Sequence, residues 1–268
     1  MSLLLRNRLR VVLCREQLAL SMQARGWRQG ASDTMFVPCV VGADGPDWQP
    51  ALASLDAWLG QNKVAARAEV ILSDSLVRYA VMPWSADVSA GEERRAMTRI
   101  HFEAMFGPML GEWEFQVAPA GYRQARVACA VDSRLSSALH ALFAVHKMRM
   151  VSLRPYLMCV INHWHAQLSG DALLVVVAPD HCMMAGFKAG AWHSVRRIRL
   201  GDASGARLQQ LIQRERVLQG LDGASVYLHA PGQEMSAAMP GDDATVLAVA
   251  ANDAPVVAAM MATCGHAP

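Results

Sequence analysis

The sequence predicts an α/β protein made of two successive subdomains that share one plan. Three observations carry this. Each half opens with short apolar runs of strand length, at residues 9–41 and again at 172–200. After each set, apolar stripes at helical spacing alternate with further strand-length runs. The composition, 53% hydrophobic and 18% charged over 268 residues, leaves ample apolar surface to close a core and excludes disorder.

Residues 9–14 and 18–24 are apolar runs parted by Arg15, Glu16 and Gln17, the pattern of a β-hairpin, and 35–41 supplies a third strand. Residues 42–46 form a loop. Asp47 is then placed to cap a helix in which Leu52, Leu55, Trp58 and Leu59 recur at helical spacing. Runs 70–72 and 76–82 read as a strand pair around Ser73, Asp74 and Ser75. Ser89 opens a second helix with Glu92 as capping-box partner. Its apolar stripe is Met97, Ile100, Ala104 and Met105, and Gly107-Pro108 stops it. Strands 112–118 and 126–131, helix 135–145, strand 150–153 and helix 155–168, with Pro155 at its start, complete the first half.

In the second half, runs 172–178, 183–188 and 191–200 form three consecutive strands. Helix 207–219 places apolar Leu208, Leu211, Ile212 and Leu218 and polar Glu215 on different faces. A strand at 225–230, a loop at 232–243, a strand at 245–250 and a closing helix at 255–263 follow. Three antiparallel strands, then helices alternating with strands, twice over, is a duplicated ribonuclease-H-like plan. Residues 1–170 make the first subdomain, with an inserted strand and helix segment, and 171–268 the second.

A formal charge of +2 argues against a nucleic-acid or anionic-lipid partner. The six cysteines have apolar neighbours and form no C-x-x-C pair, which suits reduced core thiols in a cytosolic protein. Arg6, Arg8 and Arg10 break any leader-like apolar stretch near the start, and Asn252, Asp253 and Pro255 interrupt the run at 245–263. Neither a targeting peptide nor a direct membrane span is expected.

Catalytic chemistry finds little support. His163 and His165 stand two apart on a helix and point to different faces, and His181-Cys182 lacks further ligands, so these read as ordinary histidines. Glu92-Glu93 suits a cap, while Glu112 and Glu114 share a solvated strand face. A ribonuclease-H-class nuclease needs an acidic residue on its first strand, and 9–14 has none. No nucleophile elbow, P-loop or dinucleotide fingerprint is present. Arg196, Arg197 and Arg199 alternate with Ile198 and Leu200 as a half-solvated strand face, with an acidic partner surface as the sharper alternative. Catalytic, cofactor-binding and metal-ligating residues are all expected to be absent.

Three stretches carry a family resemblance. They are the opening hairpin at 10–20; the strand at 74–84, which ends in Met82-Pro83-Trp84 ahead of a Glu-rich helix; and Leu173–Val177 with 187–190 and 196–201. Together with the element order they resemble the actin-like ATPases, and within them the branch of pilus and secretion assembly, the PilM family and the cytoplasmic domain of GspL. The resemblance implies two Asp-x-Gly hairpin turns that hold nucleotide phosphates through magnesium and backbone N–H groups. Here the first turn reads Cys14-Arg15-Glu16-Gln17 and the second Ala178-Pro179-Asp180-His181, where proline removes a donor. The adenosine-side Gly-Gly turn reads His229-Ala230-Pro231-Gly232.

The resemblance therefore implies a pseudo-ATPase without cofactor. It would act as a scaffold or adaptor at the cytoplasmic face of a type IV pilus or type II secretion machine, peripheral to the inner membrane through its partner. The implied partners are the cytoplasmic tail of a bitopic inner-membrane protein and an assembly ATPase. An active ATPase or sugar-kinase-like enzyme of the same superfamily is the alternative. The expected docking place is the strand around Arg78, Tyr79, Pro83 and Trp84. Arg78 and Ala80 alternate there with Tyr79 and Val81, Pro83 favours a sheet edge, and Trp84 offers a pocket wall.

Overall fold

In this computed structural model the described residues are 7–23, 34–39, 46–86, 91–108, 113–200, 205–230, 244–247, 260–261 and 264. β1 (Asn7–Leu13) and β2 (Gln17–Gln23) pair antiparallel around the polar turn, and β3 (Thr34–Pro38) extends the hairpin. β4 (Ala66–Leu72) and β8 (Arg149–Pro155) add in parallel, giving the order β3-β2-β1-β4-β8. Consecutive Val11, Val12 and Leu13 are all fully buried, as expected for strands covered on both faces. α1 (Gln49–Gln61) buries Ala51, Leu55 and Leu59.

The second half repeats the arrangement. β9 (Ala172–Val177), β10 (His181–Lys188) and β11 (Ala191–Arg199) form an antiparallel meander. β12 (Ser225–His229) and β13 (Ala244–Val246) add in parallel, in the order β11-β10-β9-β12-β13. α5 (Gly205–Gln219) packs Leu208, Leu211 and Ile212 into a core with Leu173, Val175, Cys182 and Leu228. Both five-stranded sheets thus share one strand order, third-second-first-fourth-fifth. A separate three-stranded sheet, ordered β5-β7-β6, is made by β5 (Val77–Met82), β6 (Trp113–Val117) and β7 (Arg126–Asp132), with α2 (Gly91–Phe106) beside it.

The chain packs as two units. One comprises Met1–Val77, Val131–Cys159 and Val257–Pro268 and holds the first five-stranded sheet. It also holds α3 (Ser133–Val145) and the start of α4 (Tyr156–Trp164). The other comprises Arg78–Ala130 and Val160–Val256 and holds the second five-stranded sheet with the three-stranded one. Among the described residues no helix is long and apolar enough to cross a membrane.

Several local expectations are corrected. β4 and β5 do not pair: β4 lies between β1 and β8, whereas β5 pairs with β7. The 3₁₀ turn Asp74–Leu76 passes the chain from one sheet to the other. The buried Asp74 carboxylate accepts the Leu157 N–H at 3.0 Å, capping α4, which begins after Pro155 rather than at it. Asp47 does not cap α1, whose N-cap is Trp48. Asp47 instead pairs with Arg15 at 3.2 Å, an exposed contact of little energetic weight. In α5, Glu215 is buried, bonded by Arg196 at 3.0 Å and Gln219 at 3.1 Å, while Leu218 is exposed. The Ser89 cap, Glu112, the 232–243 loop and most of the closing helix fall outside the described residues.

The largest correction concerns α2. Its buried residues are Thr98 and Phe102, and the stripe of Met97, Ile100, Ala104 and Met105 is exposed. The cause lies in the sheet. Ala80, Ala128 and Ala130 present small side chains that leave room for one large ring, and Phe102 fills it, edge-on to Phe115 at 5.1 Å.

Candidate partner-binding site

β5 is an edge of the three-stranded sheet, the position that the proline after it suggests. The strand's alternation sends Ala80 and Met82 into the small core around Phe102. Arg78 points to the same side. Its guanidinium lies over the rings of Phe106 at 5.5 Å and Trp113 at 5.9 Å. Burial, and then the like charge of Arg197, hold its pKa below the usual arginine value. Tyr79, on the opposite face, is buried too, so neither side of β5 is a solvated polar face.

At the far end of the strand Pro83 is exposed and Trp84 half-buried. Trp84 does not seal α2 by itself. Its ring meets Tyr122 edge-on at 5.9 Å and carries the Arg123 guanidinium at 5.4 Å. Between Trp84 and the helix lies a small hollow of about 80 Å³. Met82, Pro83, Trp84, Met97 and Val117 give it apolar walls, and among the described residues Arg94 and Arg126 are the charged groups of its lining. The structure therefore gathers Pro83 and Trp84 into one place and leaves Arg78 and Tyr79 outside it. Arg94 and Arg126 escape sequence reasoning because they arrive from different elements, α2 and the start of β7.

The turns at residues 14–17 and 178–181 are each closed by a backbone hydrogen bond. In the first, the Cys14 N–H donates to the Gln17 carbonyl at 3.1 Å, and the Glu16 carbonyl accepts from the Cys39 N–H at 2.9 Å. In the second, the Ala178 N–H donates to the His181 carbonyl at 2.8 Å, and the Asp180 carboxylate is bonded to its neighbour His181 at 2.7 Å. Burial alone would raise the Asp180 pKa. The His181 hydrogen bond and charge, with Arg197, more than offset that and lower it. Of the adenosine-side turn only His229 and Ala230 are described.

Among the described residues Glu69, His163 and His165 are each paired locally. Glu69, a buried carboxylate on β4, is taken by Arg8 at 2.8 Å, Arg10 at 3.4 Å and Arg154 at 3.8 Å. His163 sits edge-on to Trp164, and His165 faces the Asn162 carbonyl at 2.9 Å, so the two do not converge. Among the described residues no group of three or more His, Cys, Asp or Glu is arranged to hold a metal.

No family model matches the chain, and no curated protein matches it. Solved structures do match. A Bacteroides thetaiotaomicron protein with an actin-like ATPase fold and unknown function aligns with a TM-score of 0.64 at 9% identity, covering 97% of this chain and 96% of its own. A chain of the PilM–PilN type IV pilus biogenesis complex aligns at 0.60 and 11% identity, covering 90% and 88%. The cytoplasmic domain of EpsL, an inner membrane component of the type II secretion system of Vibrio cholerae, aligns at 0.58 and 11% identity, covering 96% and 92%. Near-complete coverage from both sides, with the shared strand order of the two sheets, gives this chain the actin-like ATPase fold.

Proposed function

We propose that this chain is a non-catalytic actin-like scaffold or adaptor at the cytoplasmic face of a type IV pilus or type II secretion machine. It binds the cytoplasmic tail of a bitopic inner-membrane protein, and an assembly ATPase is a further partner. The observation that carries the reading is the basic-rimmed apolar hollow at the end of edge strand β5. Two fold neighbours support it, one from a PilM–PilN complex and one the cytoplasmic domain of an inner membrane component. Pro83 and Trp84 form the wall against which an apolar tail residue rests. Tyr79 holds the strand in place, and Arg78 offers charge beside Phe106 at its other end. The absence of glycine at residues 14–17 and the proline at 179 support a pseudo-ATPase rather than an active enzyme. The division into repeats at 1–170 and 171–268 accompanies this reading, and each five-stranded sheet falls within one of them.

The test uses the cytoplasmic tail of the single-span inner-membrane protein that this reading requires as partner. Trp84→Ala and Arg126→Glu should each weaken capture of that tail about tenfold or more, with melting temperature held within a few degrees. Arg78→Glu is a poorer probe because it also unstacks Phe106 and Trp113. Millimolar Mg-ATP should leave the melting temperature unchanged. A clear Mg-ATP-dependent rise would favour the active-enzyme alternative, since a ligand that binds only the native state must stabilise it.

A further inference from the structure

We propose that the arginines gathered around Glu69 on the first five-stranded sheet bind a small phosphate dianion. In the parallel ladders Arg8 stands beside Arg67, Arg67 beside Arg149, and Arg10 beside Glu69. Residues in register on adjacent strands share a face, so β1, β4 and β8 carry a row of three arginines with Arg10 and Glu69 behind it. Arg154 reaches the same carboxylate from β8. Glu69 holds Arg8 at 2.8 Å, and its Oε2 lies 3.4 Å from Arg10 and 3.8 Å from Arg154. The row sits at the N-terminal ends of these strands, whereas the turn at 14–17 follows the C-terminal end of β1. This is therefore not the nucleotide position that the family resemblance implies.

Three guanidiniums against one carboxylate leave two positive charges. Water relieves Arg8, whose side chain is 48% exposed, but the Arg10 side chain is only 6% exposed. The Nε groups of Arg10 and Arg154 are both buried and find no acceptor among the described residues, a costly state for a donor. Asp74, the other carboxylate near Cys159, is spent on the Leu157 N–H. Arg67 is engaged elsewhere, and the exposed Arg149 adds charge at the rim. Cys159 registers the excess. The Cys264 S–H donates to it, and Arg154 and Arg10 help hold its pKa below the usual thiol value against burial and Asp74. Stability alone does not call for such a cluster, since apolar residues of similar volume replace buried ion groups with little loss. A dianion neutralises the two charges and gives the buried donors an acceptor. The guanidiniums come from two levels of β1 and from β8 two strands away, so they share no plane. A tetrahedral oxyanion has an oxygen for each, whereas a planar carboxylate fits one fork. The depth of Arg10 favours a small anion over a headgroup held in a flat bilayer.

The probe is inorganic phosphate, compared with chloride at matched ionic strength on the whole chain. About 10 mM phosphate should raise the melting temperature by at least about 3 °C. Arg10→Met should abolish that rise, and Arg154→Gln, at a part-exposed position, carries the test if Arg10→Met fails to fold. Arg214→Gln, exposed on α5, should keep the rise. Peptide mapping should show phosphate shielding Arg8, and not Arg214, from phenylglyoxal. Mg-ATP, bulky and with its phosphates held by the metal, should leave the melting temperature unchanged, so the phosphate response stays separate from the active-enzyme alternative. An equal rise in chloride, or a rise that survives Arg154→Gln, overturns the proposal. So does flotation with phosphatidylglycerol vesicles that Arg8→Gln abolishes, because the arginines would then serve a bilayer.

Discussion

Replacing Phe102 with alanine should release α2 from its sheet while the rest of its unit stays folded. Phe102 is fully buried, and with Thr98 it makes up the buried side of the helix. Its ring packs edge-on to Phe115 at 5.1 Å and tilted against Phe106 at 5.7 Å. Truncating a buried phenylalanine costs about 3–5 kcal/mol, transfer and cavity together, and edge-to-face pairing contributes about 0.5–1.5 kcal/mol of such a total. A helix of 16 residues is marginal in water by itself, so α2 has little reserve to absorb the loss. About 4 kcal/mol corresponds to roughly a thousandfold change in the opening equilibrium. Hydrogen exchange read by mass spectrometry should show α2 amides losing protection on that scale, with β9 and β12 keeping theirs. The paired control is Ile100→Ala on the outward face, which should stay within about 0.5 kcal/mol of the parent. If Ile100→Ala proves as damaging as Phe102→Ala, the helix sits on its Met97–Ile100–Ala104 stripe and the argument is refuted.

Two further outcomes follow from buried titratable groups. Burial, opposed by a hydrogen bond with the Leu247 backbone and assisted by His163, pushes the His229 pKa down to about 4 from 6.5. The unfolded chain therefore binds the extra proton first. Stability should fall by up to about 3 kcal/mol as pH drops from 6.5 to 4, a slope that urea titrations should find flattened in His229→Gln; an identical slope in both proteins would rule this out. In the Arg196–Glu215 pair the carboxylate is buried and the guanidinium half-exposed. Arg196→Met, which strands a buried charge, should cost about 3 kcal/mol, whereas Glu215→Met frees an arginine that water can resolvate and should cost less; the reverse ranking in denaturant titrations would contradict this.

The duplicated sheet is legible in the sequence because its signals are local. Apolar runs such as Leu173–Val177, punctuated by polar turns, fix strands whatever surrounds them. What the sequence conceals are choices made by distant partners. Helical spacing finds the stripe of α2 but cannot say whether it faces core or water. That depends on Ala80, Ala128 and Ala130, which vacate a space only Phe102 suits. The same holds for the false pairing of β4 with β5, since the order of a sheet is not written in the turn between two strands. Glu215 reads as surface because its burial depends on Arg196 from β11. The candidate docking place is half legible: Pro83 and Trp84 announce themselves by residue type, while the arginines that complete the hollow do not.

On the adaptor reading, two features of this chain point the same way. Phosphate loops need backbone N–H groups free to face the ligand, and glycine where the chain passes close to it. Here the Cys14 and Ala178 N–H groups close their own hairpins, and Pro179 has no N–H to offer. On the scaffold reading such commitments cost nothing, because they stabilise hairpins that no ligand must open. The exposed apolar stripe has the opposite balance. It contributes little to folding while uncovered, and it carries the solubility risk of any apolar patch left in water. On that same reading, closed turns and a tolerated apolar patch match holding a partner better than turning over ATP.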